Sequence, residues 1–499
     1  MSVTNDTLAQ RRAELAARRA ALSTQKQEVL DALLKKGGEG VVPARVIPVC
    51  PPDVSALLSF AQERLWFLDQ LEPGTTAYNI CVPFRITGRL NVCALSQSVN
   101  EMIRRQEALR TTFVAVDGKP VQLLSPWSNQ DLPVVDLASL PAPDDVVQQL
   151  IADAGNRSFD LANGPLVRTN LIKLAAEDHL LLMTVHHISL DEWSMRILLH
   201  DTAQIYKAFA QGAPSPLDEL PIQYRDFAHW QRQWLQGDVL DAELEYWRQQ
   251  LDGSPPVLAL PLDRPRSSVT TWKAETVTFE LSPELSAALN DLAEAAATTP
   301  FTTLLAAFQL LLSRYTGQFD IPVGTPVAGR RWVETEGVIG FFVNTLVLRT
   351  KLDGNPSIRE VLNRVREVAL EAQTHQDLPF ERLVEELQPE RSLNHTPLFQ
   401  VMFGFQNAPQ QRETIPGLTV SQVEVKGVTA KFDLTLSMSE GEKGITGEIE
   451  YNADLFNPGT IDRLLEHFRA LLEAMVDDPD QRLTEIEILS DAERRQMLV

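Results

Sequence analysis

The stretch PLVRTNLIKLAAEDHLLLMTVHHISLDEWSMRILLHDTAQIYKAFAQG, residues 165–212, constrains the fold more than any other. Two apolar runs flank the turn-like AAED, which predicts a pair of strands. The second run ends in two adjacent histidines, His186 and His187. Beyond them the period changes from strand to helix, and an amphipathic helix is predicted to end at Gly212. Further along, TTPFTTLLAAFQLLLSRYTG is a mostly apolar and therefore buried helix, while ETVTFELS, LTVSQVEV and DLTLSMSE alternate as strands do. This mixture predicts an α/β fold. At 499 residues the chain exceeds what one core comfortably serves, so two lobes are expected, meeting near residue 225.

The histidine pair is the candidate site. Successive strand side chains point to opposite faces. His187 shares parity with Leu181, Met183 and Val185, and His186 with Leu180, Leu182 and Thr184. Both imidazoles cannot face one cleft: one is a candidate base, the other a structural hydrogen-bonding group. Neutral imidazole, with a reference pKa near ~6.5, is the usual general base at neutral pH. Asp191 is placed to orient the turn by pairing with an arginine. The bland alternative is a pair of hydrogen-bonded core histidines. A Ser-His-Asp hydrolase is disfavoured because no Gly-x-Ser-x-Gly elbow is present. No acidic or histidine partner recurs at metal-ligand spacing, so no metal is expected.

Composition narrows the partners. A net charge of −22 argues against nucleic acid, whose phosphates demand a basic face. No apolar run reaches the ~18–20 residues that span a bilayer, so no membrane partner is expected. Three cysteines in no metal or disulfide pattern fit a reducing, cytoplasmic setting. Residues 1–40, rich in helix formers and closed by GGEG, are expected to be a helical segment, either a solvated helix outside the main core or a docking element.

The run HHISLDE resembles the His-His-x-x-x-Asp-Gly signature of nonribosomal peptide synthetase condensation domains. Other motifs of that family follow in order. LSFAQERLWFLDQLEPGTTAYNI (58–80) resembles the first, and RRQEALRTTF (104–113) the second, with Gln106 where the family usually has His. YRDFAHWQ (224–231), GTPVAGRR with IGFFVNTLVLR (324–349), HQDLPFERLVE (375–385) and NHTPLFQVMFGFQN (394–407) resemble the rest. The resemblance implies two chloramphenicol-acetyltransferase-like lobes in a V around a central tunnel: residues 51–225 as the N-terminal lobe, 226–490 as the C-terminal lobe, and 491–499 as the start of a linker to an adenylation domain. It implies that donor and acceptor peptidyl carrier domains insert 4'-phosphopantetheine arms and that the domain itself binds no cofactor. The implied reaction is attack of the acceptor amine on the donor thioester. His187 and His186 match the catalytic pair, Asp191 the structural aspartate with Arg330 as its salt-bridge partner, and Ser194, Asn344 and Thr345 positions along the tunnel. Since Met1 precedes a helical segment, the donor is expected from a separate protein.

One residue departs from the pattern: Glu192 stands where the family has Gly. A carboxylate beside His187 suits acid/base work that amide formation hardly needs. Elimination of water from a Ser or Thr residue needs such a group. Dehydration coupled to condensation is therefore an expectation alongside plain condensation. An epimerisation domain is disfavoured because Met195 follows Ser194, and a heterocyclisation domain because the first His is retained. A non-catalytic recruitment domain is the alternative from another class.

Overall fold

The computed structural model describes residues 46–51, 54, 56–140, 143–266, 273–389, 395–406, 415–423, 430–441, 443–489 and 493–495. The helical segment expected over 1–40 lies outside the described residues, as does most of the linker expected over 491–499. Thirteen strands are described: β1 (Asn79–Gly88), β2 (Thr111–Val116), β3 (Lys119–Leu124), β4 (Val134–Asp136), β5 (Val167–Ala175), β6 (Asp178–His186), β7 (Ala274–Glu280), β8 (Asp320–Val327), β9 (Asn344–Lys351), β10 (Val401–Gln406), β11 (Leu418–Gln422), β12 (Leu434–Gly441) and β13 (Gly444–Asn452). The principal helices are α1 (Phe60–Leu71), α2 (Val92–Arg105), α3 (Pro143–Gly155), α4 (Glu192–Ala210), α5 (Tyr224–Trp234), α6 (Asp238–Leu251), α7 (Pro283–Ala295), α8 (Pro300–Thr316), α9 (Ile358–Thr374), α10 (Phe380–Leu387) and α11 (Pro458–Asp477).

Two sheets organise the chain. One is five-stranded in the order β11-β1-β6-β5-β4, the other six-stranded in the order β7-β13-β12-β10-β8-β9, and β2 and β3 form a separate hairpin. β11 is strand-like in sequence, as its alternation predicts. It comes from the C-terminal half of the chain, yet it pairs antiparallel with β1 in the N-terminal sheet. Alternation fixes that a segment extends; it carries no information about which edge it joins.

β6 explains the position of the histidines. Leu180 and Leu182 pack with Val147 and Ile151 of α3, whereas Leu181, Met183 and Val185 pack with Leu95 and Val99 of α2 and Leu198 and Ile205 of α4. A strand covered on both faces reads as a nearly continuous apolar run, here interrupted by Thr184, and the histidine pair stands at its end. The larger core lies under the six-stranded sheet, where α8 and α11 bury nearly all of their apolar length against β10, β12 and β13. Among the described residues no single helix is long and apolar enough to cross a membrane.

Candidate active site

The backbone leaves β6 at His186 and makes one 3-10 turn over His187–Ser189 before α4 begins. This turn separates the two imidazoles. His186 is buried, 2% exposed. Its Nδ1 accepts the Ile188 N–H at 3.2 Å, and its ring sits 6.0 Å from Phe159 and 6.4 Å from Tyr78. It closes the turn as a side-chain cap. His187 retains partial exposure. Its Nδ1 lies 2.8 Å from the Leu190 carbonyl, its backbone N–H donates to Tyr78 O at 2.8 Å, and its ring stands edge-on to Phe341 at 4.8 Å. A carbonyl only accepts, so Nδ1 carries the proton and Nε2 is left as the lone-pair nitrogen. Burial first, then the charge of Lys431, push the His187 imidazole down to about 4, against the pull of the Leu190 carbonyl. His186 is pushed to about 4 as well, by burial and then by His187. Both rings are therefore neutral at physiological pH.

Asp191 is the anchor of the site. It caps α4 by accepting from Ser194 N at 2.8 Å, and its other oxygen accepts from Phe342 N at 2.9 Å and Val343 N at 3.2 Å. Arg330 approaches it at 3.4 Å, so the expected pair forms, but as the longest of these contacts. Arg330 makes shorter bonds to Ser194 Oγ at 2.7 Å and Val338 O at 2.7 Å, with Phe342 stacked 4.0 Å away. Ser194, expected along the tunnel, is instead fully buried; its Oγ donates to Gly340 O at 2.8 Å and accepts from Gly340 N at 3.0 Å. Its place one turn into α4 points it at the 340 loop, where it reads backbone and meets no solvent. The loop comes this close because residue 340 is Gly: a Cβ there would lie 1.8 Å from the Tyr224 ring.

Asn344 and Thr345 open β9 and are half-buried. Asn344 acts as a clamp: its amide donates to Gln376 O and Leu378 O, each at 2.8 Å, and its oxygen accepts from Phe380 N at 2.9 Å. It lines a small cavity with Phe341, Trp332 and Asp377, and burial raises the Asp377 carboxyl to about 6 against the pull of Arg331. Gln106 takes an analogous role across the site. It is buried, and it bonds Gly337 O at 2.9 Å and Ile339 N at 2.8 Å, so the amide holds both a backbone carbonyl and a backbone N–H.

Glu192 is the first residue of α4, and its side chain is 71% exposed. Its Oε1 accepts from Arg196 Nη2 at 3.1 Å and from Gln406 Nε2, at the end of β10. Lys431 escaped the sequence reading. It sits on the approach to β12 and touches solvent, yet crowding by surrounding atoms pushes its ammonium below the usual lysine range, opposed by Glu450 and reinforced by Arg64. Its charge also opposes protonation of His187. Nothing local distinguishes Lys431 from other lysines, so only the fold reveals it. Among the described residues no group of three or more His, Cys, Asp or Glu is placed to hold a metal ion.

The family model for condensation domains matches residues 54–498. One of the linear gramicidin synthase polypeptides of Brevibacillus parabrevis is 47% identical over 466 residues, which is 93% of this chain and 9% of that protein. The chain spans less than a tenth of the length of each of the three linear gramicidin synthase polypeptides it matches. Among solved structures, the X-domain in complex with OxyB from teicoplanin biosynthesis superposes with a TM-score of 0.82 at 29% identity, covering 91% of this chain and all of that one. A holo four-domain nonribosomal peptide synthetase bound to AMP and glycine gives 0.77 at 26% identity, covering 88% of this chain and 34% of that one. The α/β architecture is the one condensation domains share, the chloramphenicol-acetyltransferase-like fold expected from the motifs.

Proposed function

We infer the reaction from one premise: the chain belongs to the condensation-domain family. A domain of this family is a peptide-bond-forming transferase. Here it joins a donor acyl or peptidyl thioester to the amine of an acceptor aminoacyl thioester. Each substrate is tethered by a phosphopantetheine arm to its own carrier domain, and the domain works beside an adenylation domain. The acceptor nitrogen attacks the thioester carbonyl, the C–N bond forms, the C–S bond breaks, and the proton lost by nitrogen ends on the departing thiol. The observation that carries this reading is His187: a neutral imidazole at the end of a buried strand, with Nδ1–H fixed on Leu190 O and Nε2 left as an acceptor.

An imidazole pushed down to about 4 is a weak base beside an α-amine near ~8. His187 therefore orients the neutral amine through a hydrogen bond at Nε2 and takes the proton only as the C–N bond makes nitrogen acidic. Holding two tethered reactants in line supplies much of the rate. Ser189, two residues past the pair, is fully buried, which favours direct transfer over a covalent enzyme intermediate. Dehydration is the finer reading raised by Glu192. The contacts of its exposed carboxylate are with Arg196 and Gln406, which supports plain amide formation instead.

Intact-protein mass spectrometry of loaded donor and acceptor carriers incubated with the protein tests the reading. The acceptor carrier should gain the mass of the donor group. A further loss of one water from a Ser- or Thr-containing product would establish dehydration. An acceptor carrier that never gains mass with any loaded donor would leave a binding domain, the alternative suggested by the likeness to an X-domain solved with OxyB.

A further inference from the structure

Two adjacent carboxylates at the start of α4 both reach the six-stranded sheet, at different strands. Asp191 holds the N–H groups of Phe342 and Val343, which lead directly into β9. Glu192 accepts from Gln406, which ends β10. In the sheet, β9 and β10 lie on either side of β8. The body of α4 belongs elsewhere: Leu198, Ile205 and Tyr206 are packed into the core of the five-stranded sheet. Gln406 is also on the right face to make this contact. Phe403 and Phe405 point into the large core, and alternation turns Gly404 and Gln406 to the opposite face.

We propose that Glu192 is a positioning residue, whose bond to Gln406 braces α4 against β10 and fixes the gap between His187 and the polar face of the six-stranded sheet. Asp191, Trp193 and Ser194 tie the first turn of α4 to the loop that precedes β9; the Glu192 bond adds a tie to a different strand, β10. Glycine, the family's residue here, has no atom to make it. The pair is exposed, so its direct contribution to stability is small. Its effect lies in geometry, because a displacement of about 1 Å between reacting groups costs up to ~10²-fold in rate. A carboxylate at the first helical position also favours the helix dipole, and that role alone would leave Gln406 without function.

The test rests on the amide-forming reading for its kinetic arm only. Glu192→Ala and Gln406→Ala should each lower the single-turnover rate about tenfold, with the KM for an aminoacyl-pantetheine acceptor little changed. The double variant should be no slower than either single one. The reciprocal pair Glu192→Gln with Gln406→Glu rebuilds the bond with donor and acceptor exchanged, and it should recover most of the rate. Additive losses, or a reciprocal pair as slow as the single variants, would overturn the brace. Should the wild type form no amide, the same variants are read by spin-label distances between α4 and β13. The distribution should broaden in Glu192→Ala and narrow again in the reciprocal pair; a distribution unchanged in Glu192→Ala overturns the proposal.

Discussion

The two sheets handle polar chemistry in opposite ways. β6, at the centre of the five-stranded sheet, is buried on both faces, with Leu180 and Leu182 against α3 and Leu181, Met183 and Val185 against α2 and α4. The strand's apolar run ends at the histidines. β12 and β13 of the six-stranded sheet bury one face alone. Leu434, Leu436, Met438, Ile445 and Ile449 are in the core, while Thr435, Ser437, Ser439, Thr446, Glu448 and Glu450 occupy the other face. Gln406 carries that open face to Glu192, beside the histidine turn. One sheet thus holds the imidazole proposed to act on the amine at a strand end, and the other supplies a polar wall. The first position tolerates little change; the second tolerates much.

The largest effect expected from this contrast is at His187. His187→Ala should lose about 10²–10⁴-fold in single-turnover amide formation while the protein keeps its melting temperature. An unchanged rate would remove His187 from the mechanism. Asp191→Ala comes next. It frees three backbone N–H groups and takes the carboxylate from buried Arg330, at a cost of about 3–5 kcal/mol. Chemical denaturation checks this, and a variant as stable as the wild type would contradict the anchoring role. The smallest effect compares neighbours on β12. Leu436→Ala should cost about 2–5 kcal/mol, whereas Ser437→Ala, one residue on and on the open face, should stay within about 0.5 kcal/mol. Equal losses would show that the wall is packed and not open.

Much of this was legible in the sequence because the signals are local. The strand pair around AAED, the helix that follows it and the alternation of β12 all appear in the structure. Parity separated the two imidazoles, although the separation is made by the 3-10 turn at His187 and not by strand pleat alone. The long-range pairings were not legible. Gln406 lies 214 residues from Glu192, and β11 joins a sheet built from the other half of the chain. Ser194 was misplaced for a related reason: its sequence position puts it beside the histidines, but whether it meets solvent depends on the loop at Gly340, 146 residues on. Asp191 illustrates the intermediate case. The residue type and spacing announced an anchor, while the backbone N–H groups it holds are visible only in the fold.

The central claim is that His187 is neutral, with the proton on Nδ1 and a bare Nε2 offered to the amine. A ¹⁵N spectrum of histidine-labelled protein, with His187 assigned by its loss in His187→Gln and titrated from about pH 8 to pH 4, tests it most directly. The account predicts the Nδ1–H tautomer throughout the neutral range and no protonation of His187 until the pH nears 4, since burial and Lys431 both oppose the charged form. A His187 that titrates near the ordinary ~6.5, or that carries its proton on Nε2, would contradict it.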